Sequence, residues 1–150
     1  MGNILGTKNR IYLGLITAFL LHNHRNIFSK VIYMSKRVQL KIKEKHLDSF
    51  KYTNRDDFLL LMNSTIGSCS YDSTNHTVNF IAYIESTDKY IIYSLKQEKY
   101  HTTCNTIFSL RADTLAKYYK QNDFKLFKKA YLGKIEAYIK TKPSDQTRIS

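Results

Sequence analysis

The stretch Thr77-Val78-Asn79-Phe80-Ile81-Ala82-Tyr83-Ile84, followed by Ser86-Thr87-Asp88-Lys89 and then Tyr90-Ile91-Ile92-Tyr93-Ser94-Leu95, decides the fold. Side chains alternate across a strand, so Val78, Phe80, Ala82 and Ile84 share one face while Asn79, Ile81 and Tyr83 share the other. A short polar connection between two such runs is the ordinary device of an antiparallel hairpin. After Lys96-Gln97-Glu98-Lys99, a third run from Tyr100 to Phe108 is rich in Thr and β-branched residues, which suit a pleated surface. The three runs predict an antiparallel meander.

Helical patterns flank it. Asn54 or Asp56 is suited to cap a helix through Phe58-Leu59-Leu60-Leu61-Met62 that stops near Gly67, leaving the polar residues from Ser68 to His76 as a loop. Beyond the meander, Ser109 or Asp113 caps a long segment in which Leu115, Tyr119, Leu126, Phe127, Ala130, Tyr131, Ile135, Tyr138 and Ile139 recur near helical spacing. Gln121-Asn122-Asp123 is a candidate break within it, and Pro143 marks its end. The expected architecture is α+β: a helix, a three-stranded antiparallel sheet and a long C-terminal helix. Both helices pack on one face of the sheet, and the other face stays open. Val38, Leu40 and Ile42 alternate with polar residues, which predicts a short edge strand over residues 38–43.

The first 33 residues read differently. Lys8 and Arg10 precede the apolar run Ile11 to Leu21, which is signal-like but shorter than the roughly 20 residues that span a bilayer. The following His22-Asn23-His24-Arg25-Asn26 lacks the small residues of a cleavage site, and Gly6 stands where a myristoylation motif prefers Ser or Thr. A second Met at 34 offers an alternative start. The chain thus divides into an apolar, basic extension over 1–33, one α+β domain over 34–142 and a flexible tail over 143–150.

Charge points to the partner. Of the 150 residues, 24 are Lys or Arg and 12 are Asp or Glu, a net charge of +12 that repels itself unless an anion is near. Residues 89–142 hold twelve of the bases and four of the acids, so a binding face is expected in the last third. The same Lys-, Asn-, Ile- and Tyr-rich composition also follows from AT-rich codons. The pattern selected for binding is one of lysines interleaved with aromatic rings, since ammonium groups neutralise phosphates and rings stack bases. Lys89, Lys96 and Lys99 on the sheet, with Lys128 and Lys129 on the last helix, are the candidate RNA-binding residues.

Catalytic patterns are missing. His101 and Cys104 lie three apart in a strand and point to opposite faces, and Asp56 and Asp57 are accounted for as helix-start residues. His22, His24 and His46 have no Asp, Glu or Cys among them to complete a metal set, and no glycine loop cradles phosphate. Cys69 and Cys104 form neither a disulfide framework nor a zinc motif, which suits a reducing compartment. No enzyme, metal, cofactor or small-molecule substrate is expected.

Phe58-Leu59 opening a helix that leads to Cys69, the run Thr103-Cys104-Asn105-Thr106-Ile107-Phe108, and then Leu115, Tyr118-Tyr119 and Phe127-Lys128-Lys129 resemble a known family. It is the paired small subunits of the signal recognition particle Alu domain, the larger of the two, over about residues 54–142. The resemblance implies a helix, three strands and a helix. It also implies a heterodimer with a homologous subunit whose joined sheets grip folded RNA and help pause translation on secretory messages. The chain departs from the pattern in the fifty residues before the first helix and in ending on Ser144-Asp145-Gln146-Thr147-Arg148-Ile149-Ser150 instead of a lysine tail. The function expected is thus a cytoplasmic RNA-binding subunit of a ribonucleoprotein. The alternative is a secreted or membrane-proximal protein-binding module, with membrane contact only through residues 11–21.

Overall fold

A computed structural model describes residues 9–24, 27–70 and 77–149, with side chains through residue 140. The chain runs through β1 (Arg10–Leu15), α1 (Ala18–Asn23), β2 (Val31–Ser35) and α2 (Lys36–Lys45). A 3-10 segment (Leu47–Thr53), α3 (Arg55–Asn63) and β3 (Thr65–Cys69) follow. Next come β4 (Thr77–Ile84), β5 (Lys89–Gln97), β6 (Thr102–Leu110), α4 (Ala112–Tyr119), β7 (Lys125–Leu126), a second 3-10 turn (Lys129–Tyr131) and α5 (Leu132–Ile149).

The expected meander is present as β4, β5 and β6, paired antiparallel in sequence. It is the centre of a larger object. The sheet has seven strands in the order β1-β2-β6-β5-β4-β3-β7, and β2 joins β6 in parallel. The three-stranded sheet expected above, and implied by the family resemblance, is corrected to this mixed seven-stranded sheet.

The placement of helices is also corrected. Val78, Phe80, Ala82 and Ile84 of β4 join Ile91, Tyr93 and Leu95 of β5 in one core with Phe58, Leu61 and Met62 of α3. Ile81, Tyr83, Tyr90 and Ile92, from the opposite face of the same strands, pack with Leu115 of α4 and Ile135 of α5. The two helical layers lie on opposite faces because β4 and β5 carry large apolar side chains on both, and each face removes them from water only when covered.

The stretch before α2 supplies part of the first core. Leu13, Leu20, Ile32 and Met34 are fully buried in it, with Ile16 and Ile27 nearly so. The boundary expected at 33/34 falls inside β2, between two residues of one strand. The apolar run of 11–21 is divided between β1 and α1, and using it as an anchor would empty the core of Leu13, Ile16 and Leu20. No helix among the described residues is long and apolar enough to cross a membrane.

Three local expectations also change. Residues 38–43 are helix α2 instead of a strand: the Ser35 hydroxyl accepts the Val38 amide at 3.1 Å as an N-cap, and Ile42 is buried while Leu40 is 57% exposed. The helix expected to stop near Gly67 ends at Asn63, and Thr65–Cys69 is the buried strand β3, so Ser68 and Cys69 are not loop. Of the rest of that expected loop, Ser70 donates its amide to Asp123 at 2.7 Å, and residues 71–76 lie outside the described residues. The long C-terminal helix is divided, with β7 between α4 and α5, and α5 passes Pro143, expected above to mark its end, to reach Ile149.

Candidate functional site

The five predicted lysines do not form one patch. Lys89 and Lys96 stand at opposite ends of β5, roughly 23 Å apart at the usual rise per residue. Lys89 pairs with Asp48 of the first 3-10 segment at 3.2 Å, where the Ser109 hydroxyl and then Lys89 hold that carboxyl below the usual range. Lys96 sits 3.8 Å from Glu98, and Lys99 lies on the tip joining β5 to β6, its ammonium 5.3 Å from the Tyr100 ring centroid. Lys128 and Lys129 follow β7 at the far edge, Lys128 beside Thr17, Phe19 and Thr65. Lys96 and Lys99 therefore share a region that the other three do not reach.

That region is the uncovered half of the second sheet face. The core formed with α4 and α5 includes no residue of β1 or β2, so those two helices leave the face over these strands and the start of β6 bare, while at the edge Arg55 of α3 places its guanidinium 5.7 Å from the Tyr12 ring centroid. Strand register sets one continuous cross-strand row there: Tyr12 opposite Tyr33, Tyr33 opposite Thr103, Thr103 opposite Lys96, and Lys96 opposite Thr77. Paired positions project to the same side, and the alternate residues Ile32, Met34, Leu95 and Val78 turn into the first core. The row carries two phenol rings, two hydroxyls and an ammonium.

Arg10 lies on the same face, two residues before Tyr12. Its guanidinium sits 4.6 Å above the Tyr33 ring, and its Nη1 donates to the His101 ring, 3.0 Å from Nε2 and 3.2 Å from Nδ1. The His101 ring meets Tyr33 edge-on at 5.5 Å. Burial, then Arg10, lowers the His101 pKa, with Glu98 opposing. The imidazole is thus the acceptor that fixes the guanidinium. Arg10, Val31, Tyr33, Tyr100 and His101 line an open hollow of about 330 Å³.

One side of this hollow is bolted to the β5–β6 tip. The Gln97 side-chain oxygen accepts the amides of Phe28 and Ser29, both at 3.0 Å, and the Thr102 hydroxyl donates to the Ser29 carbonyl at 2.9 Å. Ser29 in turn donates through its hydroxyl to the Tyr100 carbonyl. The fixed segment presents Phe28 at 69% exposure, and the tip presents Tyr100 at 78%. Sequence reasoning reached Lys96 and Lys99 but missed Arg10, Tyr12, Phe28 and Tyr33, all in the stretch set aside as an extension. Their signal was an Arg and aromatic residues flanking the apolar run.

Other clusters are structural. The His24 Nε2 lies 2.8 Å from the Ser68 hydroxyl, a pairing that resembles a nucleophile and base. Ser68, however, is 1% exposed, and the His24 ring is edged against Phe80 and Phe127, so no substrate atom reaches the hydroxyl. The two thiols are unpaired and buried, and desolvation pushes both up to about 12, far from a reactive thiolate. Among the described residues no cluster of His, Cys, Asp and Glu is arranged to hold a metal. Comparison with protein-family models, with curated proteins and with solved structures gives no match.

Proposed function

We propose that this protein binds RNA through the uncovered half of its sheet. The observation that carries the reading is the row Tyr12, Tyr33, Thr103, Lys96 and Thr77 with Arg10 beside it, because a sheet face bearing aromatic rings and cations offers stacking and phosphate contacts together. The net charge of +12 supplies the long-range attraction. It is distributed to suit: α2 exposes Lys36, Arg37, Lys41, Lys43 and Lys45 with the single acid Glu44, and it starts at the end of β2 that Arg10 pairs with. The ion pairs of Lys89 and Lys96 are half-exposed and weak, so they do not prevent either ammonium from meeting a phosphate.

The test is titration of the full chain into fluorescein-labelled structured RNA across a salt series. Binding weakens steeply with salt, and K96Q shallows the logarithmic slope by about 1. Binding that is absent, or indifferent to salt, rejects the reading.

A further inference from the structure

Building on the RNA reading, we propose that the hollow lined by Arg10, Val31, Tyr33, Tyr100 and His101 is a subsite for one unpaired nucleotide. Arg10 holds the phosphate and Tyr100 stacks the base. The guanidinium is already fixed between the Tyr33 ring at 4.6 Å and the His101 ring, whose one unprotonated nitrogen accepts from it, so little side-chain freedom is lost when it meets a phosphate. Its planar fork matches phosphate oxygens, and Lys99 places a second cation at the lip, beside the Tyr100 ring.

Size and shape select the ligand. A volume of about 330 Å³ lies at the small end of ligand sites, roughly 300–1,000 Å³, which suits one nucleotide and not a helical segment. Tyr100, at 78% exposure, offers a ring that bases inside a duplex cannot reach, because both their faces are stacked on neighbours. Val31 gives the wall an apolar patch.

The experiment compares a labelled single-stranded oligouridylate with a blunt RNA duplex of equal length, using the full chain. Wild type prefers the single strand. Y100A weakens single-strand binding roughly five- to a hundredfold, the range of one base stack, and leaves duplex binding unchanged. Y100F retains single-strand binding, whereas R10Q loses it. Tyr100 is exposed, so its variants keep the fold, which a thermal melt verifies. If Y100A binds the single strand like wild type, or wild type prefers duplex, while salt-sensitive RNA binding persists, the subsite is refuted and the broader reading stands. If wild type binds neither RNA, both fall.

Discussion

Acidification should destabilise this protein through one histidine. His24 lies at the end of α1, its Nε2 2.8 Å from the buried Ser68 hydroxyl and its ring edged against Phe80 and Phe127. Burial first, and then Lys125, lower its pKa to about 4, with Asp123 opposing. The unfolded chain keeps the ordinary value near 6.5 and so binds the proton more readily. Above pH 6.5 neither state is protonated and the full stability is present. As pH falls through 6.5 toward 4 the unfolded state gains protons that the folded state refuses, and stability is lost until both are protonated. The whole shift corresponds to about 3 kcal/mol, of which about 2 is lost by pH 5. Part of the ring remains in solvent, and screening reduces the loss at pH 5 to about 1–2 kcal/mol. Urea unfolding of wild type and H24Q between pH 8 and 5, at constant ionic strength, measures it. H24Q starts less stable because ring packing is gone, but its stability should fall less with acid. The residual slope comes from His101, whose pKa is also lowered. Equal slopes in the two proteins would refute the reasoning.

Four further outcomes are expected. Leu13→Ala, at a fully buried position, should cost about 2–5 kcal/mol, and a chain beginning at Met34 should show no cooperative melt because β1 and part of β2 are lost. A truncated chain that melts like the whole protein would contradict this. Gly67→Ala places a methyl 2.8 Å from the Lys125 carbonyl oxygen and 3.2 Å from the Phe124 ring, so β7 should detach. Faster hydrogen exchange at the Phe127 amide, which donates to the Ile66 carbonyl at 2.7 Å, reports it, and unchanged exchange would show that the strand accommodates the methyl. Cys69 and Cys104 should resist an aromatic disulfide reagent at pH 8 in the native protein and react in urea, whereas native-state labelling would mean that one of them opens.

The meander was legible because β4, β5 and β6 alternate cleanly and the turn after Ile84 is short and polar. What surrounds it was not. In residues 38–43, Val38, Leu40 and Ile42 satisfy a period of two, yet Val38 and Ile42 also satisfy a helical i, i+4 spacing, and the Ser35 cap decides between them. β3 is hidden because Thr65, Gly67 and Ser68 are small or polar although buried, with the Thr65 hydroxyl bonded to that of Tyr93 at 2.6 Å. Residues 10–21 resemble a targeting segment because core strands and signal sequences are both apolar, and periodicity does not separate them. One clue to the second helical layer was in plain view: Ile81, Tyr83, Tyr90 and Ile92 make the supposedly open face of the meander apolar. The face that remains uncovered lies over β1 and β2, so setting those strands aside also hid Arg10, Tyr12 and Tyr33 from the search for a site.

The parallel pairing of β2 with β6 has a temporal meaning. Ile32 meets Thr102, a partner 70 residues downstream. Chains emerge from the ribosome at about 5–20 residues per second, so the β1–β2 hairpin exists for about 4–14 s before the strand that flanks it has been made. Throughout that interval Val31–Ser35 presents an unpaired edge, the kind of template that captures other strands. The closing contact is also among the longest in sequence separation, which slows folding by the entropy of the loop it must shut. The birth of this protein therefore contains a vulnerable waiting period, ended only when the tip bearing Tyr100 and His101 has been synthesised and β6 docks.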